Sequence, residues 1–243
     1  ILFGRDVENE SQTSLQEKIA SYQAVSQIPL LIGADEEGGT VSRISGNPNL
    51  VATPFASPQA LFASGGWEAI QADTEQKAQH SGSTLKHFPG YGNNLDSHVE
   101  IVTDDRSLDD FETSDFLPFE AGIKAGADSI LVSHNIVTAI DSNQPASISP
   151  AVHQLLRNEL GFTGVIMTDD MDMAGLADFI SQEEAGLKAL QAGNDLVMSS
   201  SYKEQIPFVI QAVQAGTYSE TELDESVYRV LSWKKELQLL DID

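Results

Sequence analysis

Two adjacent carboxylates, Asp169 and Asp170, directly follow the apolar run Gly164-Val165-Ile166-Met167-Thr168. Neighbouring side chains at a strand end point to opposite faces. One carboxylate can therefore enter a site while the other is anchored elsewhere. A carboxylate so placed can attack or stabilise an oxocarbenium-like centre, given a second group that protonates the leaving oxygen. The pair reads equally as a loop-start cap of the following helix. Asp96-Ser97-His98 stands in a Gly- and Asn-rich loop. A carboxylate near a histidine orients the ring and raises its basicity, and histidine titrates near neutrality, so such a pair can shuttle a proton. On its own the triplet reads equally as a surface loop. His87, Asp96 and His98 are also metal-ligand types, but their spacing matches no standard zinc pattern. Asp35, Arg43, Lys86 and His87 complete a polar set suited to sugar hydroxyls, which carboxylates and cationic donors hold well. His134 follows another apolar run and is expected to line the same site. His80 and His153 read as structural or surface residues.

These residues need a scaffold that brings separate chain segments to one edge. Apolar runs end at each of them: Pro29-Leu30-Leu31-Ile32-Gly33-Ala34 before Asp35, Ser83-Thr84-Leu85 before Lys86, and Ser129-Ile130-Leu131-Val132 before His134. Asp195-Leu196-Val197-Met198 likewise leads into a serine run. Continuous rather than alternating runs predict strands covered on both faces, as in a parallel sheet. Helices are predicted between them. Ser149-Pro150 reads as an N-cap with proline at the first helical position, and Gly161 as the stop. Ser181 with Glu184 fits a capping box, Gly193 ends that helix, and a last helix opens near Ser219. The rhythm is that of βαβ units in one domain, residues 1–243. Polar residues at the C-terminal strand ends are where parallel barrels carry their sites. A doubly wound sheet shares that edge, but no GxGxxG loop is present. Residues 46–66, rich in Pro, Ser, Asn and Gly, read as a loop that roofs the site.

The charge balance narrows the partners. There are 37 acidic against 13 basic residues, a net charge of −24. Such a surface repels nucleic acid and anionic lipid. No cysteine is present, which excludes disulfide scaffolds and thiolate metal sites. No stretch is long and apolar enough to span a bilayer. The chain opens abruptly at Ile1-Leu2-Phe3, inside what reads as a strand, so the true start is expected upstream.

Taken together and in order, these segments resemble glycoside hydrolase family 3 β-N-acetylhexosaminidases. Leu30-Leu31-Ile32 through Asp35-Glu36-Glu37-Gly38-Gly39 resembles that family's D-Q-E-G-G strand end. Lys86-His87-Phe88-Pro89-Gly90 followed by Asp96-Ser97-His98 resembles its K-H-F-P-G…D-S-H signature. Gly161-Phe162-Thr163-Gly164-Val165-Ile166-Met167-Thr168-Asp169-Asp170-Met171 resembles its G-F-x-G-V-I-x-T-D-D-[LM] segment. Ala125-Gly126-Ala127-Asp128 and Ala192-Gly193-Asn194-Asp195 resemble its A-G-A-D turns. The resemblance implies a (β/α)8 TIM-type barrel. It implies Asp169 as nucleophile and His98, held by Asp96, as acid/base. It implies sugar contacts from Asp35, Arg43, Lys86 and His87, with Met173 as a wall. The substrate class implied is a terminal β-linked N-acetylglucosamine of cell-wall or chitin-type glycans. No metal and no organic cofactor is needed. A neutral histidine repels an incoming anion less than a carboxylate would, so phosphate is an alternative acceptor to water.

Two departures follow from the same comparison. Family members carry an N-x-x-x-A-P-V strand and an R-S-F-G arginine before the K-H-F-P-G strand, whereas here Ala78-Gln79-His80-Ser81-Gly82-Ser83 runs almost straight into Lys86. The barrel is expected to lack one βα unit and part of its first strand. Strand number and stagger must agree for closure, so its wall is expected to open or re-pair. A catalytically impaired glycan-binding remnant, or a family 3 glycosidase or phosphorylase of other sugar specificity, is the alternative. An extracytoplasmic or cell-surface setting in a Gram-positive-type bacterium is favoured over the cytoplasm, and the sequence leaves the oligomeric state open.

Overall fold

The computed structural model describes residues 1–80, 82–92, 94, 101–177 and 179–241. The chain divides into two compact units, Ile1–Ile70 with the segment from Gln238, and Gln71–Leu237.

In the first unit, Leu2, Val7 and Leu15 are buried together, with Ile19, Ile32, Ala34, Ile44 and Leu50 packed on them. Two short strands, β1 (Glu36–Gly38) and β2 (Val41–Ser42), form an antiparallel hairpin. The run Pro29–Ala34, expected as a buried strand, is instead extended and partly exposed chain. It meets Leu2 only through the parallel bridge Leu2–Ala34 and the bond from Leu2 N–H to Gly33 O, 2.8 Å. Apolar composition makes a sheet strand only where neighbours satisfy its backbone, and Pro29 supplies no donor. The expected roof loop also differs: from Pro58 the chain is helical to Ala78, broken at Gly65 and Gly66.

The second unit holds the parallel strands. They are β3 (Thr84–Phe88), β4 (Thr103–Asp104), β5 (Ser129–Val132), β6 (Ile136–Val137) and β7 (Val165–Thr168). β5 lies between β3 and β7, both parallel to it. Its four residues are all buried, as a central parallel strand requires. β4 pairs with β6, and Leu196 extends the main sheet by a parallel bridge to Met167. Among the described residues no ring of strands closes, so the expected barrel is present as parallel segments.

Phe88 anchors the core. It is fully buried, stacks on Phe116 at 5.7 Å and meets Phe119 edge-on at 5.1 Å. Burying each such ring contributes about 1.5–3 kcal/mol. The predicted serine caps and stop glycines form, but Ser181 and Glu184 make only half of the expected capping box, since Glu184 accepts the Ser181 hydroxyl at 3.3 Å and not its amide. The Ser149, Ser181 and Ser219 hydroxyls accept the amides of Val152, Glu184 and Glu222. Gly161 and Gly193 take the positive φ values, 68° and 116°, that end helices without a Cβ clash. Among the described residues no helix is long and apolar enough to cross a membrane.

Asp195 ties this unit together from below the sheet. Its side chain is fully buried and accepts Arg157 Nη2 at 2.6 Å, Arg229 Nη1 at 2.9 Å and Ile166 N–H at 2.9 Å. Arg157 also donates to Phe162 O and Gly164 O, 3.0 and 2.6 Å. Removing one partner of a buried ion cluster leaves uncompensated charge. Asp195→Ala is therefore expected to lose about 3–5 kcal/mol of unfolding free energy in denaturant titration. A loss below about 1 kcal/mol, the value of an exposed pair, would show that the cluster contributes little.

His153 is buried, and its Nδ1 donates to Ser149 O at 2.8 Å. Burial, the largest cause, holds its pKa below the ordinary histidine value, against the raising effect of the Ser149 carbonyl and Asn194. The unfolded chain thus takes up the proton first. The stability this group contributes is present above about pH 6.5 and is lost as pH falls from there through the lower folded value. Unfolding free energy is expected to drop by up to about 1.4 kcal/mol per pH unit from this group. His153→Leu is expected to flatten that slope, read by denaturation at several pH values. An unchanged slope would assign the loss to other groups.

Candidate active site

Parallel pairing carries the chemistry-bearing residues to one edge. Ser133 N–H bonds Phe88 O at 2.9 Å, and Asp169 N–H bonds Val132 O at 2.9 Å. The residues at and just beyond the ends of β3, β5 and β7 are thereby stitched side by side. His87 on β3 and Asp169 after β7 meet there, with His87 Nε2 4.0 Å from Asp169 Oδ2. The Asp169 side chain is 13% exposed and that of His87 22%, so both are accessible yet largely shielded from water. Tyr91 packs edge-on against the His87 ring at 5.5 Å. Lys86 lies on the same strand.

The two carboxylates of the T-D-D turn divide as strand-end geometry predicts. Asp169 Oδ1 accepts the Asp170 amide at 2.8 Å, leaving Oδ2 as the oxygen that faces His87. Asp170 Oδ1 turns away and accepts the Asp172 amide at 3.0 Å. Met173 is buried on the same turn, and its amide bonds Asp170 O at 3.1 Å.

Sequence reasoning missed what holds this turn. Asp172 accepts the Ser199 hydroxyl at 3.1 Å, the Ser201 amide at 3.3 Å, and both the Ser200 amide and the Ser201 hydroxyl. Burial alone would raise the Asp172 pKa, but these donors outweigh it and hold it below the usual carboxylate value. Gln182 donates to Met171 O at 3.2 Å, and Met171 N–H bonds Met198 O at 2.8 Å. The signal was the serine run after Met198, visible as composition but without an assigned partner. His134, expected to line the site, is instead fully buried behind it.

The loop after β3 is braced from beneath. Arg106 is clamped between two carboxylates: Nη2 lies 2.9 Å from Asp104 and Nη1 2.6 Å from Asp115. Its guanidinium also covers the Phe111 ring at 4.2 Å. Those bonds, Asp115 first, raise the Arg106 pKa further. A Cβ on Gly90 would stand 2.1 Å from an Asp115 oxygen, and one on Gly92 2.6 Å from the Arg106 guanidinium carbon. Only glycine lets the backbone approach this cluster so closely. Asn94 then donates to Asp104 at 2.8 Å. Asp96 and His98, the expected acid/base pair, lie outside the described residues.

Asp35 and Arg43 belong to the first unit, where the hairpin joins them. Arg43 N–H bonds Asp35 O at 3.1 Å. Glu36 is occupied structurally, accepting the Ser45 amide at 3.0 Å, the Ser45 hydroxyl at 2.6 Å and the Ile44 amide.

Comparison with known proteins places this arrangement. The profile of the glycosyl hydrolase family 3 N terminal domain matches residues 69–233, nearly the whole second unit. The chain is 30% identical to a beta-hexosaminidase of Xanthomonas campestris pv. campestris, covering 96% of this chain and 86% of that protein. That alignment runs over 290 residues against 243 here, so the relative carries residues without counterpart in this chain. A beta-hexosaminidase of Stenotrophomonas maltophilia is 39% identical over 58% of this chain and 42% of its own length. The solved structure of a family 3 beta-N-acetylglucosaminidase from Paenibacillus sp. superposes with a TM-score of 0.82 at 24% identity, taking in all of this chain and 57% of that one. That likeness shows a shared fold. The chain thus spans less than two thirds of the length of two of these three proteins. From the matched profile and the coverage of the Xanthomonas relative, the chain belongs to glycosyl hydrolase family 3.

Proposed function

We propose that this chain is a retaining β-N-acetylhexosaminidase that removes terminal β-linked N-acetylglucosamine from cell-wall or chitin-type glycans. The observation that carries the reading is Asp169. It stands at a parallel strand end with Oδ1 held by the Asp170 amide and Oδ2 facing His87. A carboxylate held by one oxygen and presenting the other has the geometry of a nucleophile. Oδ2 attacks the anomeric carbon as the glycosidic bond breaks, and His98 gives its proton to the departing oxygen. The glycosyl ester on Asp169 is then opened by water, which yields a proton to His98, and the configuration is retained. Asp96 orients His98 in this scheme. That pair is assigned on the D-S-H motif and its resemblance alone. Lys86, His87 and Met173 serve the sugar, and Asp35 and Arg43 keep the hydroxyl-binding role that the resemblance gives them. Arg43 Nε supports this, being buried without a hydrogen-bond partner among the described residues. A buried donor left unpaired is costly unless a ligand satisfies it. The relatives named beta-hexosaminidase support the substrate class.

Hydrolysis of an aryl β-N-acetylglucosaminide by this chain tests the reading. Asp169→Asn is expected to lower turnover about a thousandfold or more with the fold intact by circular dichroism. Undiminished release by that variant would remove Asp169 from the reaction. The same assay with added phosphate distinguishes acceptors, with water expected to suffice.

His98→Ala is expected to slow substrates with poor leaving groups about 10²–10⁴-fold while activated aryl glycosides, which need little protonation, lose far less. Equal losses across both classes would rule out the acid role.

A further inference from the structure

We propose that His134 is a positioning residue for Asp169, acting through the backbone of Asp170. The inference rests on Asp169 being the nucleophile. His134 Nε2 lies 2.9 Å from Asp170 O. A carbonyl only accepts, so Nε2 carries the hydrogen and donates it. The other ring nitrogen, Nδ1, lies 2.7 Å from Ser147 Oγ and accepts the hydroxyl hydrogen in the neutral ring. Both backbone groups of Asp170 are then committed, the carbonyl to His134 and the Met173 amide, and the amide to Asp169 Oδ1 at 2.8 Å. That amide chooses which carboxylate oxygen of Asp169 is occupied and which faces His87.

The brace is itself anchored. Ser147 N–H bonds Ser133 O at 2.9 Å, and Ser147 O accepts Asn194 Nδ2 at 2.8 Å. Ser133, His134, Ser147 and Asn194 are all fully buried. A relay of hydrogen bonds thus runs from Asn194 through Ser147, His134 and Asp170 to Asp169. In the low dielectric of an interior such bonds strengthen one another, and an unmade one is expensive. A phenylalanine would fill the His134 volume but take from the Asp170 carbonyl its side-chain donor, leaving it only the Met173 amide at 3.1 Å. The turn then loses its brace on the His134 side and can shift, and a shift of about 1 Å at a nucleophile costs on the order of a hundredfold in rate.

The test compares the parent chain with His134→Phe, His134→Gln, Ser147→Ala and Asp169→Asn, each below its unfolding temperature. Two aryl β-N-acetylglucosaminides are used, one with a good and one with a poor leaving group. His134→Phe is expected to lose about ten- to hundredfold in kcat on both substrates alike, with KM within about twofold. His134→Gln, whose amide N–H reaches the same carbonyl, is expected to recover most of that loss. Ser147→Ala, which leaves the ring in place but frees Nδ1, is expected to fall between them. Amide hydrogen exchange at Asp170 reads the brace without turnover, with protection expected to drop in His134→Phe and persist in His134→Gln. A folded His134→Phe with parental kcat and parental Asp170 protection overturns the inference. If His134→Phe does not fold, Ser147→Ala at parental kcat and protection overturns it instead. A fully active Asp169→Asn removes the nucleophile reading itself, whereas an inactive Asp169→Asn beside an unimpaired His134→Phe removes only the role of His134.

Discussion

The backbone ladder between β3, β5 and β7 is the constraint on which this site depends. Asp169 N–H reaches Val132 O because β5 and β7 run parallel in unbroken register, and Ser133 N–H reaches Phe88 O after the parallel β3–β5 register shifts by one residue between Leu85 and Phe88. A slip of one residue would turn each strand-end side chain to the opposite face. His87 and Asp169, eighty-odd positions apart in the chain, would then no longer meet. The register is enforced by what lies below it. The four residues of β5 are sealed on both faces, Phe88 is locked among Phe116 and Phe119, and Asp195 pins the Ile166 amide to two arginines.

Acidity is managed locally in a chain that carries a net charge of −24. Buried and half-buried carboxylates alike have specific sets of donors. Asp195 and Asp104 have arginines, whereas Asp172 has hydroxyls and backbone amides alone. Neutral donors hold the turn as firmly, because several converge on one carboxylate. Asp169 is treated differently again. One oxygen is tied to a single backbone amide, and the other is presented at the edge.

The arginine clamp around Asp104 and Asp115 shows the same economy in the loop after β3. Gly90 and Gly92 lie where any side chain would collide with the clamp. The K-H-F-P-G-Y-G segment therefore has its shape set by an ion cluster that comes later in the chain. In the family motif these glycines look like loop punctuation, while in the folded chain they are the contact surface. The departure from the family pattern is also physical. The helix that ends at Ala78 is followed within a few residues by β3, and no ring of strands closes among the described residues.

Much of this was legible in the residues alone. Serine caps, stop glycines, the buried run of β5 and the carboxylates at the end of β7 are local signals, set by propensity and by the period of apolar residues, and they emerged as read. The motif order was enough to expose the family. Other features were decided only by tertiary structure. Pro29–Ala34 has the composition of a strand but lacks the neighbours to make it one, because a sheet is a property of partners and not of a segment. His134 has the sequence position of a site-lining residue but is buried behind the turn, where its ring nitrogens meet Ser147 and Asp170. Arg106, Asp172 and Asp195 gave no sign of their partners, since each ion or hydrogen-bond cluster joins segments whose proximity is created by the parallel sheet. Local chemistry thus determined which residues carry reactive side chains at strand ends, and long-range packing determined which of them meet, because burial and hydrogen-bond pairing are settled between segments that the sequence leaves far apart.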